Sequence, residues 1–284
     1  MHRLNLISAH LQSSGAFSRS TNDNFIKCEL NLDDRVAVLT LADMKTLNSL
    51  NEDRVMQLNK RLEELERNPS VNVIVITGLG RAFSVGAHMK TIKGLKHPEV
   101  MRSDPYERTW YRLLPRYKKV LIAAVNGYCF GGGFELALMC DIIIASDDAK
   151  FGFPEIKLGL MPGVGGTQKL VREIGKNKAM EHILTGEVFT ARDAKDKMGL
   201  ISRVVAIDRA KAEAMKLGKR IADRLCVATS ATKQALLLGY ELPLSQGSIM
   251  GRNLLRSLLV GQQLEKSNKA EENSERVVFS DIYY

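Results

Sequence analysis

Residues 25–30 and 35–41 alternate loosely between apolar and polar side chains. The four residues between them are turn formers, so the chain opens with a predicted β-hairpin. Residues 45–50 follow as a loop. Ser49-Leu-Asn-Glu52 has the spacing of a helix capping box. Val55, Leu58, Leu62 and Leu65 then repeat at helical spacing until Pro69. Short apolar runs at 73–77, 120–125 and 142–145 predict buried strands. Residues 81–90 predict a loop, 105–114 a helix ended by Pro115, and 135–139 a helix led in by glycines. A short extended piece is expected at 151–154. From about Gly166 the patterns are almost all helical. Ala210, Ala214, Leu217 and Ile221 form one stripe behind a cap at Asp208, and 229–238 forms a further helix. Strands alternating with helices, then helices alone, predict an α/β layered core followed by a helical C-terminal region.

Composition changes this picture little. The chain has 284 residues, 45% of them hydrophobic and 26% charged, which suits a globular protein with a sizeable core. Its apolar runs are too short to span a bilayer. The formal net charge of +9 suits a polyanionic ligand such as a nucleotide phosphate or RNA, and equally a solubilising surface. Cys28, Cys129, Cys140 and Cys226 form no CxxC pair, and the histidines are scattered. Free thiols in a reducing compartment and no metal site are therefore expected.

The first 22 residues carry Arg3, Arg19 and five serines, with no acid before Asp23. Leu4, Ile7 and Leu11 share one helical face. This is the pattern of a mitochondrial transit peptide, with a plain N-terminal tail as the alternative. The expected layout is a leader at 1–22, a core with the active site at 23–205, and a helical region at 206–284.

Four segments carry candidate chemistry. Gly131-Gly-Gly-Phe-Glu135 joins a buried strand to a helix, where glycines let a ligand approach the backbone and helix N–H groups favour negative charge, or simply turn the chain. Gly86 and Ala87 follow another strand and can bring a second backbone donor to the same cleft, as an oxyanion hole requires. In Phe153-Pro-Glu155 the glutamate sits among apolar residues, and desolvation of a carboxyl raises its pKa toward that of a general acid. Pro162-Gly-Val-Gly-Gly-Thr167 is a further glycine loop, able to meet a ligand or merely to turn.

The order and spacing of these segments resemble the crotonase (enoyl-CoA hydratase) superfamily. So do Lys45-Thr-Leu-Asn-Ser-Leu50, Leu136-Ala-Leu-Met-Cys-Asp141, Leu184-Thr-Gly186 and the stretch from Ala194 to Val204. The resemblance runs from about residue 25 to about 259. It implies a spiral of ββα units with a helical trimerisation region, and a homotrimer or hexamer. It implies an acyl-coenzyme A thioester as substrate, with no cofactor beyond that coenzyme. Ala87 and Gly132 match the oxyanion-hole donors. Lys45, Leu47, Ala87, His88, Met89, Lys90 and Gly132 match substrate- and coenzyme A-binding positions. Glu135 and Glu155 match the two acids of hydratases.

The superfamily holds several reactions, so fold alone does not choose one. Adding water across a double bond needs a proton taken from water and a proton delivered to carbon, which two carboxyls can share. Many isomerases use one. Two glutamates therefore favour hydration of a trans-2-enoyl-CoA to a 3-hydroxyacyl-CoA in the mitochondrial matrix. The alternatives are a Δ3,Δ2-enoyl-CoA isomerase, a methylglutaconyl-CoA hydratase and, from another class, an RNA-binding protein using the basic 211–224 segment. Three features depart from the family pattern: His88 after the oxyanion-hole alanine, Phe134 before the catalytic glutamate, and the tail 262–284.

Overall fold

The computed structural model of the chain describes residues 25–87 and 107–273. The expected leader, the site positions His88, Met89 and Lys90, and the end of the tail lie outside these residues.

The hairpin forms as β1 (Ile26–Asn31) and β2 (Val36–Leu41), antiparallel from Ile26 opposite Leu41 to Asn31 opposite Val36. Helix α1 (Glu52–Arg67) follows and buries Val55, Leu58, Leu62 and Leu65, the four positions its periodicity marks. Each such burial is worth about 1.5–3 kcal/mol. The cap differs from the expected one. Asn51, not Ser49, accepts the Arg54 amide at 3.0 Å. Ser49 is buried upstream, and both its carbonyl and its hydroxyl accept from the Arg54 guanidinium.

The middle of the chain winds as the expected spiral. Strands β3 (Val73–Gly78), β5 (Val120–Val125) and β7 (Ile142–Ser146) each lead to a short strand: β4 (Ala82–Ser84), β6 (Tyr128–Phe130) and β8 (Lys150–Gly152). β3, β5 and β7 lie parallel and adjacent in one sheet, and β4, β6 and β8 do the same in a second. Each turn thus advances one strand position in both sheets at once. The second turn carries helix α2 (Gly132–Met139) directly after β6. The expected loop at 81–90 therefore contains β4, because its backbone pairs with β6 across the turn.

Beyond residue 165 come α3 (Gly166–Ile174), α4 (Lys176–Thr185), α5 (Ala191–Asp196), α6 (Ala210–Ala222), α7 (Cys226–Glu241) and α8 (Leu244–Asn273). Two short strands interrupt the helices. β9 (Phe189–Thr190) closes the smaller sheet and β10 (Arg203–Val205) pairs parallel with β7. The large sheet has the order β1-β2-β3-β5-β7-β10 and the small one β4-β6-β8-β9. Helix α6 lies on the large sheet through Ala210, Ala214, Gly218 and Ala222, small residues that admit close contact with Val36 and Val73. Asp208 does not cap α6. It sits in the left-handed region, and Arg209 occupies the cap position with no side-chain bond. The expected helix at 105–114 is π-helical over Glu107–Leu113, and Pro115 lies within a following 3-10 turn, Leu114–Arg116. No described helix is long and apolar enough to cross a membrane.

One buried ion pair ties α7 to this core. Lys233 is 7% exposed. It lies 2.8 Å from Asp141 and donates to the Lys119 carbonyl at 2.8 Å. Asp141 also accepts the Leu121 amide at 2.8 Å. Burial pushes the Asp141 carboxyl up, and the Lys233 charge opposes that push. Removing one partner strands a buried charge. Lys233→Met is expected to cost about 3 kcal/mol of unfolding free energy in urea titration, and adding Asp141→Asn should recover most of it. A double variant that loses the sum of the two single-variant losses would show that the pair is not coupled.

Candidate active site

The site forms where α2 begins. A strand exits β4 through Gly86, whose φ is 78°. A Cβ built on Gly86 would lie 2.6 Å from the Gly132 nitrogen, and one on Gly133 only 2.3 Å from the Ser84 carbonyl oxygen. Only glycine permits backbones this close. The approach brings the N–H groups of Ala87 and Gly132 to one place. A Cβ on Gly132 would lie 3.8 Å from the Ala87 nitrogen and 3.9 Å from Glu135 Oε2.

Glu135 is buried in the first turn of α2. Its Oε1 accepts the Val164 N–H at 2.9 Å and the Gly166 N–H at 2.7 Å. Oε2 is left facing Gly132. Desolvation pushes this carboxyl up to about 7; the two N–H bonds oppose the push and the Glu155 charge adds to it. Glu155 sits in a 3-10 turn, Pro154–Leu158, that follows β8. Burial raises its carboxyl too. A Cβ on Gly131 would lie 2.6 Å from Glu155 Oε1, so Gly131 must remain glycine for that side chain to lie there. Glu155 Oε2 is buried and has no hydrogen-bond partner. Two carboxyls with open oxygens thus converge beside two backbone donors.

The glycine loop at 162–167 holds Glu135 rather than merely turning the chain. This third use was open to the sequence only as the motif itself. Phe134, a departure from the family pattern, faces away from the site. It is fully buried against Phe151, Phe153 and Phe189, with ring centroids 5.4, 4.8 and 5.8 Å away. The Phe153 ring packs under Gly166, where an added Cβ would meet Cζ at 2.6 Å.

Lys45 and Leu47 lie in the loop between β2 and α1. Lys45 is exposed within a 3-10 turn, Met44–Thr46. Leu47 and Asn48 are both left-handed, with φ of 53° and 56°. Such non-glycine residues cost about 1–3 kcal/mol each and persist only when their surroundings fix them. The loop touches the segment leaving β4 directly. Leu50 N donates to the Gly86 carbonyl at 2.7 Å and Val85 N to the Leu47 carbonyl at 3.2 Å. Sequence reasoning missed Asn48 and Arg54, the residues that fix this loop. The signal for Arg54 was a cation in the first turn of a helix, where the dipole opposes it. No group of metal-ligating side chains occurs among the described residues.

The raised Glu135 value has a sign. The folded chain binds this proton more tightly than the unfolded chain, whose value is the ordinary 4.5. Stability from this group is complete below about pH 4.5 and is lost as pH rises through about 7. The difference is worth about 3 kcal/mol. Unfolding free energies of the wild type and of Glu135→Gln, from urea titration, are therefore expected to diverge by about that amount between pH 4.5 and pH 8, the variant being favoured at the higher pH. A constant difference across that range would contradict the burial argument.

Residues 31–277 match the enoyl-CoA hydratase/isomerase family. A probable mitochondrial enoyl-CoA hydratase from Dictyostelium discoideum is 42% identical over 223 residues, which cover 78% of this chain and 79% of that protein. The 2,3-dehydroadipyl-CoA hydratase of Escherichia coli K12 is 41% identical over 224 residues, 79% of this chain and 87% of that one. Among solved structures, an enoyl-CoA hydratase subunit I from Geobacillus kaustophilus superposes with a TM-score of 0.80 at 35% identity, over 90% of this chain and 98% of its own. By sequence and by fold, the chain belongs to the enoyl-CoA hydratase/isomerase family.

Proposed function

We propose that the protein adds water to a trans-2-enoyl-CoA, giving the 3-hydroxyacyl-CoA. The observation that carries this reading is the pair Glu135 and Glu155, both pushed up by burial and both converging on Gly131 and Gly132 beside the Ala87 N–H. The thioester carbonyl accepts from Ala87 N–H and Gly132 N–H. Negative charge grows on that oxygen as the nucleophile adds, and preformed donors stabilise it. A water held between the carboxyls loses a proton to one of them as its oxygen bonds to C3. The other carboxyl, protonated at the start, delivers its proton to C2, and the pair ends with the proton moved from one carboxyl to the other. Like charges this close disfavour double ionisation, so the pair favours a singly protonated state with one base and one acid. An isomerase needs only one such group, and this site supplies two.

Coenzyme A is the substrate's own handle, and no separate cofactor is required. Lys45 and Leu47 are its proposed contacts, together with His88, Met89 and Lys90. The matrix location rests on the leader composition and on the mitochondrial name of the Dictyostelium relative. The homotrimer or hexamer is supported by Leu244, Ile249, Leu255, Leu259 and Val260, exposed along α8. The basic 211–224 segment favours RNA less than its composition implied, because Lys211 pairs with Glu29 and Lys219 with Asp34.

The test follows loss of the ultraviolet absorbance of crotonyl-CoA. Glu135→Gln and Glu155→Gln should each lower the hydration rate by about 10²–10⁴-fold. If both variants keep the wild-type rate, the two-carboxylate mechanism fails.

A further inference from the structure

The loop between β2 and α1 is held by one side chain that the proposed chemistry does not use. Arg54 is 16% exposed and pairs with Asp43, itself 20% exposed. Its Nη1 donates to Thr46 Oγ1 at 3.0 Å, the Ser49 carbonyl at 2.7 Å and Ser49 Oγ at 3.0 Å. The guanidinium also lies over the Phe25 ring, 4.8 Å from its centroid. Asp43 carries the arrangement onward. It accepts the Lys45 amide at 3.1 Å and the Thr46 hydroxyl at 2.6 Å. Its own N–H donates to Asn48 Oδ1 at 2.8 Å. Every residue from 43 to 49 is thus tied to Arg54 directly or lies between two that are.

We propose that Arg54 is a positioning residue for coenzyme A, pinning the 43–49 loop in the left-handed turn that presents Lys45 and Leu47. This rests on the reading of that loop as the coenzyme's seat. A planar fork that bonds a carboxylate, a carbonyl and two hydroxyls at once is what arginine supplies and lysine does not. The oxyanion segment has separate support. Ser84 Oγ donates to the Asn48 carbonyl and accepts the Gly86 N–H, and Asn48 Nδ2 donates to the Leu79 and Ala82 carbonyls. Losing Arg54 therefore loosens binding while the Ala87 donor stays in place.

The experiment uses the full chain with Arg54→Met and Arg54→Lys. KM for crotonyl-CoA, and the Ki for free coenzyme A as competitive inhibitor, are expected to rise together by about tenfold in Arg54→Met. The lysine variant should lie between, and kcat should stay within about threefold. Arg54→Lys also keeps the test decisive if the methionine variant does not fold. A lowered melting temperature with unchanged KM and Ki would overturn the proposal, as would a fall in kcat alone. Lys45→Ala separates the two readings. If it raises KM while the Arg54 variants do not, the loop binds coenzyme A and Arg54 does not position it. If none of the variants moves KM, the loop is not the seat.

Discussion

The contact on which the site depends is the near-touching of two backbones, the segment leaving β4 and the first turn of α2. Side chains at Gly86 or Gly133 would drive them apart, since an added Cβ at either would overlap main-chain atoms across the gap. Only because they meet do the Ala87 and Gly132 nitrogens lie close together across the gap. The spiral makes the meeting possible. β3 and β5 are neighbours in the large sheet and β4 and β6 in the small one, so whatever follows β4 must lie beside whatever follows β6. The sheet order is thus also the reason that two loops far apart in sequence share one site.

That close approach fixes the electrostatics as well. A carboxylate in the first turn of a helix is ordinarily favoured by the dipole. Here Glu135 is drawn under cover, and desolvation outweighs both the N–H bonds from Val164 and Gly166 and the dipole. Those bonds occupy one oxygen and leave the other for the substrate side. Glu155 is treated differently. It is less deeply covered, and its buried Oε2 has no partner at all. An unmet acceptor inside a protein is costly, about 1–3 kcal/mol, and is retained where a ligand or water completes it. Under the proposed reaction, the attacking water is that ligand.

Much of this was legible in the sequence, and what was not has a physical pattern. Strands such as Val120–Val125 were plain because burial on both faces demands unbroken apolar runs. The stripe on α1 was plain for the same reason. The caps failed. Asn51 and Ser49 are both good cap residues two positions apart, and the choice between them lies in Arg54, which draws Ser49 inward. Strand β4 was missed because three residues cannot show a period. The pair Glu135 and Glu155 was visible only through its neighbours. Nothing local tells a catalytic carboxyl from a helix-terminal one, and the glycines that decide it act across the fold. Phe134 precedes Glu135 in sequence but not in space. Successive residues on a helix point about 100° apart, so the residue before Glu135 packs into the aromatic core.

The aromatic core under the site and the polar network beside it divide the labour of holding one geometry. Phe153, backed by Phe134, packs against Gly166, whose N–H in turn bonds Glu135. Packing is stiff and short-ranged, which suits a carboxyl whose placement must hold to fractions of an ångström. The 43–49 loop, which is only partly buried, is held in another way. It is fixed instead by hydrogen bonds radiating from a single cation, against the strain of two left-handed residues. A hydrogen-bonded loop can open and re-form without disturbing the core. The two supports meet at one strand, 84–87, whose far side rests on the α2 glycines and whose near side pairs with Leu47 and Leu50. That segment is therefore restrained from both sides, and its contacts with the α2 glycines do not pass through Arg54.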